Sequence, residues 1–368
     1  MTAALFDPGS PVSTAFRSAI GDRITAHLDG HVDELATIGA ELDPLLATMR
    51  QLVGGGKRLR PAYVVWGAVA AGGWPADPTP LLDAAASLDL LHASALVHDD
   101  VMDSSDLRRG MPAAHRQFEA LHTDQSWRGA ADGFGRAGAI LLGDLLLMWS
   151  VEMLHAAGLP TAALARALPY VAAMRTEVTC GQFLDVVSQA QDPASQGVAD
   201  ALDEANRVVQ FKSASYTVQR PVQFGAVLGG ADEALVDALA VYGSAVGRAF
   251  QFRDDLLDLF GEPDRTGKTV GDDLREGKRT VLIAHAWSRT TDAGRETLGQ
   301  LFGRGDLGPG EIDTLRTLIT DSGAVAEVET MINSLHDEAV AAVSGATMTE
   351  EGRTALLALA EASVRRTF

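Results

Sequence analysis

Apolar residues recur at intervals of three and four along nearly the whole chain, with little sustained alternation of period two. The pattern predicts an almost wholly helical protein, with helices near Thr14 to Ala40, Arg60 to Ala71, Pro80 to Val101, Ala114 to Leu121, Gly138 to Ala157, Pro160 to Gln189, Asp200 to Phe211, Ser213 to Leu228, Ala231 to Phe260 and Thr280 to Trp287, and three more after Asp292. Breaks are expected at GGGK, GGWPADPTP, DQSWRGAADGFGRAG, QDPASQG and GEPDRTGKTVGDD, where glycine and proline are dense. No segment reads as an interdomain linker, and 46% apolar residues over 368 positions suffice for one large core.

Two acidic clusters interrupt otherwise apolar helical runs. DDVMD places Asp99, Asp100 and Asp103 at the end of LHASALVHDDVMD, and DDLLD places Asp254, Asp255 and Asp258 in AVGRAFQFRDDLLDLF. In each copy the first and last carboxylates are four residues apart and share a helical face. A single copy reads most simply as a solvated face or a cap, but large apolar neighbours flank both. Carboxylate oxygens are hard ligands suited to Mg²⁺, which keeps several waters and completes its shell with substrate phosphates. Two facing helices so equipped would clamp a diphosphate.

Charge then narrows the class of ligand. A net charge of -19 argues against nonspecific binding to nucleic acid or to anionic lipid. An anionic substrate must meet local cations, and the chain supplies 26 Arg but only four Lys, at Lys57, Lys212, Lys268 and Lys278. The N-terminus lacks a basic stretch followed by an apolar run, and the most apolar window, AGAILLGDLLLMWS, is interrupted by Asp144, so neither a signal peptide nor a membrane span is expected. The lone Cys180 fits a reducing, cytoplasmic setting and reads as a small core residue.

The cations cluster near motifs that can hold anions. GGGKRLRP sets Lys57, Arg58 and Arg60 after three glycines at a helix start, where backbone amides and the helix dipole favour a phosphate without a metal. It lacks the spacing and the preceding strand of a Walker loop. SSDLRRG follows the first acidic motif, with Arg108 and Arg109 adjacent at an expected helix end, so that they point roughly 100° apart and reach different anions. DRTGKTVGDDLREGKRT carries Lys268 and Lys278 in a polar stretch suited to a lid, and QFKSASY places Lys212 and Ser213 at an expected helix break.

GGGKRLRP, LVHDDVMDSSDLRRG, FKSAS, FQFRDDLLD and GKTVGDDLREGKRT together resemble the trans-isoprenyl diphosphate synthases, or polyprenyl synthetases, in order and approximate spacing. The resemblance runs from about Leu28 to the C-terminus, making 1–27 an N-terminal extension with the start of the first helix and 28–368 the synthase domain. It implies an all-α, single-domain antiparallel helical barrel around a deep apolar cavity, usually a homodimer. By position, Asp99, Asp103 and Asp254 would be the principal ligands of a cluster of three Mg²⁺ ions, with Asp100, Asp255 and Asp258 assisting. Arg108, Lys212, Ser213, Gln251, Lys268 and Lys278 would face the allylic diphosphate, and Lys57, Arg60, His92 and Arg109 the isopentenyl diphosphate. Gln182 and Asp185 would line the cavity. Ser213 stands where the family more often has Thr, and Thr123 to Arg136 is longer than usual.

The implied reaction is head-to-tail condensation by ionisation, alkene attack and proton loss. Residues one, two and three turns before Asp99 should touch the growing tail: Ala95, Leu91 and Leu88. Ala95 and its neighbour Ser94 are small, where fifteen-carbon synthases of the family commonly place an aromatic, and Leu91 is the first bulky side chain. A twenty-carbon product, geranylgeranyl diphosphate, is therefore expected, with farnesyl or longer products as the alternative. A class I terpene cyclase ranks lower, because the second motif is DDLLD rather than an Asn/Ser/Glu type. A non-catalytic modulating subunit also ranks lower, because neither aspartate motif is lost.

Overall fold

The computed structural model describes residues 6–191, 198–261 and 270–365. In chain order the described helices are α1 Thr14–Gly30, α2 Val32–Ile38, α3 Asp43–Val53, α4 Leu59–Gly72, α5 Thr79–Met102, α6 Ala114–Asp124, α7 Ala131–Ala156, α8 Thr161–Ala190, α9 Val198–Val208, α10 Arg220–Leu228, α11 Glu233–Phe260, α12 Asp272–Glu276, α13 Val281–Arg289, α14 Asp292–Leu301, α15 Pro309–Asp321, α16 Ala324–Gly345 and α17 Glu350–Val364. A π-helical stretch, Val209–Gln219, joins α9 to α10, and the only described strands are β1 Leu107–Arg108 and β2 Met111–Pro112. The expected all-α fold is borne out.

Burial explains the layering. Residues 61–70 of α4 are buried all round, from Pro61 to Ala70, so α4 is an interior helix rather than an amphipathic one. Polar tips inside the core are satisfied: the Tyr242 hydroxyl donates to the Leu356 carbonyl at 2.7 Å, and the Trp66 indole donates to the Pro11 carbonyl at 3.1 Å. Helix α5 lies against α7 on one side and α4 on another, and α11 packs on α16 and on the π stretch. Thus the two helices bearing aspartate motifs are both held from several sides. By length and composition α5 and α7 could each cross a membrane, but both are members of this bundle, with 72% and 44% of their apolar windows buried.

Several boundaries differ from the sequence expectation. The helix expected from Thr14 to Ala40 is broken at His31, whose ring stacks on Trp149 with centroids 4.1 Å apart. Helix α3 was not expected, although Leu46, Met49 and Val53 are buried at helical spacing along it. Helix α7 starts seven residues before the expected Gly138, because its glycines serve packing rather than breaking: a Cβ on Gly135 would fall 2.3 Å from the His115 carbonyl oxygen of α6. Four helices, not three, follow the start of α14 at Asp292. The proposed division at 27/28 falls inside α1, whose Phe16, Ile20, Ile24 and Leu28 are fully buried. Cys180, expected in the core, is exposed on α8.

Candidate active site

Helices α5 and α11 bring their aspartate motifs to one cleft of about 1890 Å³, lined by Asp99 and Asp103 on one side and Asp254 and Asp255 on the other. Lys57, Arg60, His92, Arg108, Arg109, Gln182, Asp185, Lys212, Ser213, Gln251 and Lys278 also line it. Asp100 and Asp258 are buried behind that lining, at 0% and 7% exposure. Lys268 lies outside the described residues.

The first motif is bound by cations. Lys212 reaches Asp185 at 2.6 Å and Asp99 at 3.5 Å, and Gln182 donates to Asp99 at 2.8 Å. Burial alone would raise the Asp99 carboxyl, but Lys212, Lys278 and Arg108 hold it below its ordinary value. Arg108 donates through Nε to Asp100 at 2.9 Å and stands 3.9 Å from Asp99. Lys278 lies 3.0 Å from Asp103, 2.6 Å from Glu276 and 3.8 Å from Asp273. Although burial opposes it, this acidic surround raises the Lys278 ammonium well above its ordinary value, so the residue is a fixed cation.

The second motif sits among acids. Gln251 donates to Asp255 at 2.8 Å, and the Asp273 amide donates to Asp258 at 3.2 Å. Burial, with Asp273, Asp254 and Asp258 nearby, pushes the Asp255 carboxyl well above the usual carboxylate range. Such crowding is the signature of a hard-cation site. The buried Oδ2 of Asp100, which has no hydrogen-bond partner among the described residues, adds a further oxygen donor behind the first motif. The donor set therefore fits Mg²⁺.

Local backbone geometry explains how these groups converge. The RRG segment is not a helix end but a two-residue hairpin: Arg109 and Gly110 have φ of 54° and 76°, as in a type I′ turn between β1 and β2. The hairpin places Arg108 on the aspartate side, while Arg109 donates to the carbonyls of Leu52 and Gly55 at 3.3 and 3.2 Å. Arg58, Ser104 and Arg109, three of the four described non-glycine residues with positive φ, all line the cleft. Backbone strain is thus concentrated at the site.

Lys212 and Ser213 lie not at a helix break but within the π stretch, whose wider turn sets the lysine toward Asp99 and Asp185. Helix α8 can approach that stretch only through glycine, since a Cβ on Gly181 would fall 2.3 Å from the Lys212 amide nitrogen.

The GGGKRLRP segment divides its cations between two tasks. Arg58 is buried, donating to Asp89 at 2.7 Å and to the Val53 carbonyl at 2.6 Å, so it anchors the loop. Arg60 remains on the cleft, with its guanidinium 4.1 Å from the Tyr216 ring centre and donating to Thr217 at 2.8 Å. His92 lies 3.4 Å from the Tyr216 hydroxyl, and burial, reinforced by Arg60, Arg109, Arg108 and Arg58, lowers it well below its ordinary value. It is a neutral imidazole among arginines. Sequence reasoning gave no role to Tyr216, Thr217, Asp273 or Glu276, although all four lie in or beside the quoted motifs.

Of the positions expected to set product length, Ala95 lines the cleft together with Leu96, while Ser94 and Leu91 are buried at 3% and 5% exposure outside its lining. Val178, Ala205, Val208 and Val209 supply apolar lining from α8, α9 and the π stretch.

An all-α bundle that aims two aspartate motifs and a separate arginine cluster into one part-apolar cleft defines a prenyltransferase that handles diphosphates. Residues 43–319 match the polyprenyl synthetase family, and the chain belongs to that family. It is 30% identical over 315 residues to a geranylgeranyl diphosphate synthase of Methanosarcina mazei, covering 85% of this chain and 87% of that one. It is 33% identical over 296 residues to a geranylfarnesyl diphosphate synthase of Natronomonas pharaonis, covering 77% and 74%. Among solved structures it resembles a geranylgeranyl pyrophosphate synthase from Corynebacterium glutamicum, complexed with isoprenyl diphosphate and magnesium, with a TM-score of 0.90, 40% identity, and 96% and 99% of the two chains covered.

Proposed function

We propose that this trans-prenyltransferase joins isopentenyl diphosphate to an allylic diphosphate with a fifteen-carbon limit on the primer, giving all-trans geranylgeranyl diphosphate, diphosphate and a proton. The observation that carries the reading is the pair of chemically different anion sites in one cleft: carboxylates with Lys212, Lys278 and Arg108, and, apart from them, Lys57, Arg60, Arg109 and His92. Asp99, Asp103 and Asp254 would hold the Mg²⁺ ions, three in number, with Asp100, Asp255 and Asp258 assisting from behind. Bound Mg²⁺ supplies positive charge against the diphosphate that leaves.

The protein's own groups do the rest. Arg108, Lys212 and Lys278, with Ser213, Gln251 and Lys268, hold the allylic diphosphate as its C–O bond breaks, so that fixed cations meet the developing negative charge. Arg60, Arg109, Lys57 and the neutral His92 hold isopentenyl diphosphate with its alkene beside the cationic carbon, a near-attack placement. The apolar lining from Val178, Ala205 and Val208 keeps water from that carbon. The proton lost afterwards passes to the departing diphosphate, so no protein base is needed.

Ala95 leaves the first turn below Asp99 open to a longer tail than an aromatic there would admit. Two copies pair through the exposed apolar faces of α7 and α8, where Ile140, Leu141, Met148 and Phe183 are 46%, 62%, 63% and 67% exposed. The enzyme acts in the cytosol, in keeping with its acidity and single cysteine.

The test is incubation with Mg²⁺, isopentenyl diphosphate and, separately, each allylic primer from five to fifteen carbons, with products sized after dephosphorylation. A twenty-carbon alcohol is expected, and Ala95→Phe should shorten it to fifteen. An unchanged product from that variant would remove Ala95 from the length-setting role, and absence of elongation with every primer would overturn the reading.

A further inference from the structure

Away from the cleft, the α1–α2 elbow meets α7 at a second group of metal-binding side chains. His27, His31 and Glu152 each offer a ligand atom, and these atoms lie within 4.8 Å of one another. None of the three lines the catalytic cleft. His27 lies in the last turn of α1, His31 is the residue that breaks the helix, and Glu152 is near the end of α7.

Both ring nitrogens of His31 face carboxylates: Nδ1 pairs with Glu34 Oε2 at 3.2 Å and Nε2 lies 3.3 Å from Glu152 Oε1. With the Nδ1 proton given to Glu34, the Nε2 lone pair is open to a metal ion shared with Glu152. His27 stands beside Trp149, with ring centres 6.4 Å apart, and its buried Nε2 has no partner among the described residues. Trp149 holds the assembly, since the His31 ring stacks on it at 4.1 Å with planes 7° apart.

We propose that His27 Nε2, His31 Nε2 and the Glu152 carboxylate bind one Zn²⁺ ion, with water in the fourth position, and that the ion clamps the α1–α2 elbow to α7. Two imidazoles and one carboxylate form a donor set that suits zinc rather than magnesium. The Glu34–His31 contact is the outer hydrogen bond that a metal-bound histidine usually makes. Zinc bonds of about 2.0–2.2 Å require the ligand atoms to close by roughly 1 Å. Glu152, with a side chain 53% exposed, is free to make that move.

The test uses the full-length protein, stripped with a chelator and then saturated with Mg²⁺ so that the hard-oxygen sites of the aspartate motifs are filled. Zn²⁺ is added, bound metal is counted after desalting, and thermal unfolding is recorded with and without zinc. One Zn²⁺ per chain is expected, together with a rise in unfolding temperature. Glu152→Gln and His27→Gln should lose both, and Asp103→Asn should keep both. Glu34→Ala, which touches only the outer nitrogen of His31, should weaken zinc binding about tenfold. Cobalt substitution should give visible absorption in the wild type that vanishes in Glu152→Gln. Should His27→Gln fail to fold, the half-exposed Glu152 carries the decision. Zinc retention and stabilisation unchanged in Glu152→Gln, or no zinc retained by the folded wild type, would overturn the site.

Discussion

The two aspartate motifs have nearly the same sequence and different described neighbours. In the first, Asp99, Asp100 and Asp103 each meet a cation: Lys212, Arg108 and Lys278. In the second, the groups pressing on Asp255 are Asp273, Asp254 and Asp258. The cations hold Asp99 below its ordinary value, although burial raises Asp100 and Asp103, while burial first and then its acidic neighbours push Asp255 well above the carboxylate range. Among the described contacts, fixed cations meet the first motif, whereas Asp255 of the second is buried among other carboxylates. The two jaws of the proposed clamp thus differ in what surrounds their carboxylates.

Neutralising one carboxylate in each jaw should separate the two most sharply. Asp99→Asn should lower kcat/KM by about 10²–10³, the scale for removing one preorganised electrostatic group. In chelator it should also cost about 1–2 kcal/mol of stability, because Lys212 loses one of its two carboxylate partners in a buried setting. Asp255→Asn should likewise reduce activity, yet in chelator it should be neutral or stabilising, since the amide oxygen still accepts from Gln251 and a repelled charge is gone. Steady-state kinetics and calorimetry check both. The same sign of stability change in the two variants would erase the contrast.

That contrast was invisible in the sequence, where DDVMD and DDLLD look equivalent. What could be read was whatever a short window carries: helical period through α5, α8 and α11, the acidic spacing, and the cation-rich loops. What could not be read was set by distant partners or by backbone geometry too short to have a period. The Lys278–Asp103 pair joins residues on separate elements, as do Arg60 and Thr217. A two-residue strand shows no alternation, so the Arg109–Gly110 hairpin was taken for a helix end. The π stretch retains apolar spacing close to helical, and its lysine was placed at a break. Arg58 illustrates the limit of reading charge alone, since it borders the cleft with Lys57 and Arg60 yet commits its guanidinium to the buried Asp89.

Lys278 offers the next cut, because it links the first motif to the acidic segment at 272–276. Lys278→Met removes the ammonium but keeps much of the stem, leaving Asp103 and Glu276 without it. Activity should fall about 100-fold through loss of a fixed cation at the diphosphate. The loss should be in kcat more than in the KM for isopentenyl diphosphate, whose arginines lie elsewhere in the cleft. A change confined to that KM would place Lys278 on the wrong substrate and weaken the division between the two anion sites.

The smallest expected effect tests the repulsive jaw alone. Asp273 is the first carboxylate pressing on Asp255, and its backbone amide, not its side chain, donates to Asp258. Asp273→Asn therefore removes charge without removing that hydrogen bond. Lys278 keeps Asp103 at 3.0 Å and Glu276 at 2.6 Å, so the 3.8 Å contact it loses matters little. Without metal the variant should unfold about 1 °C higher, corresponding to less than about 1 kcal/mol over a chain of this size. With metal the order should reverse: the Mg²⁺ concentration for half-maximal activity should rise several-fold, because a cation gains less where less negative charge awaits it. Titration of activity against Mg²⁺, with melting curves in chelator, measures both halves. If the metal requirement rises while the metal-free protein is destabilised, Asp273 acts as a structural partner, and the second jaw owes its character to burial rather than to crowded charge.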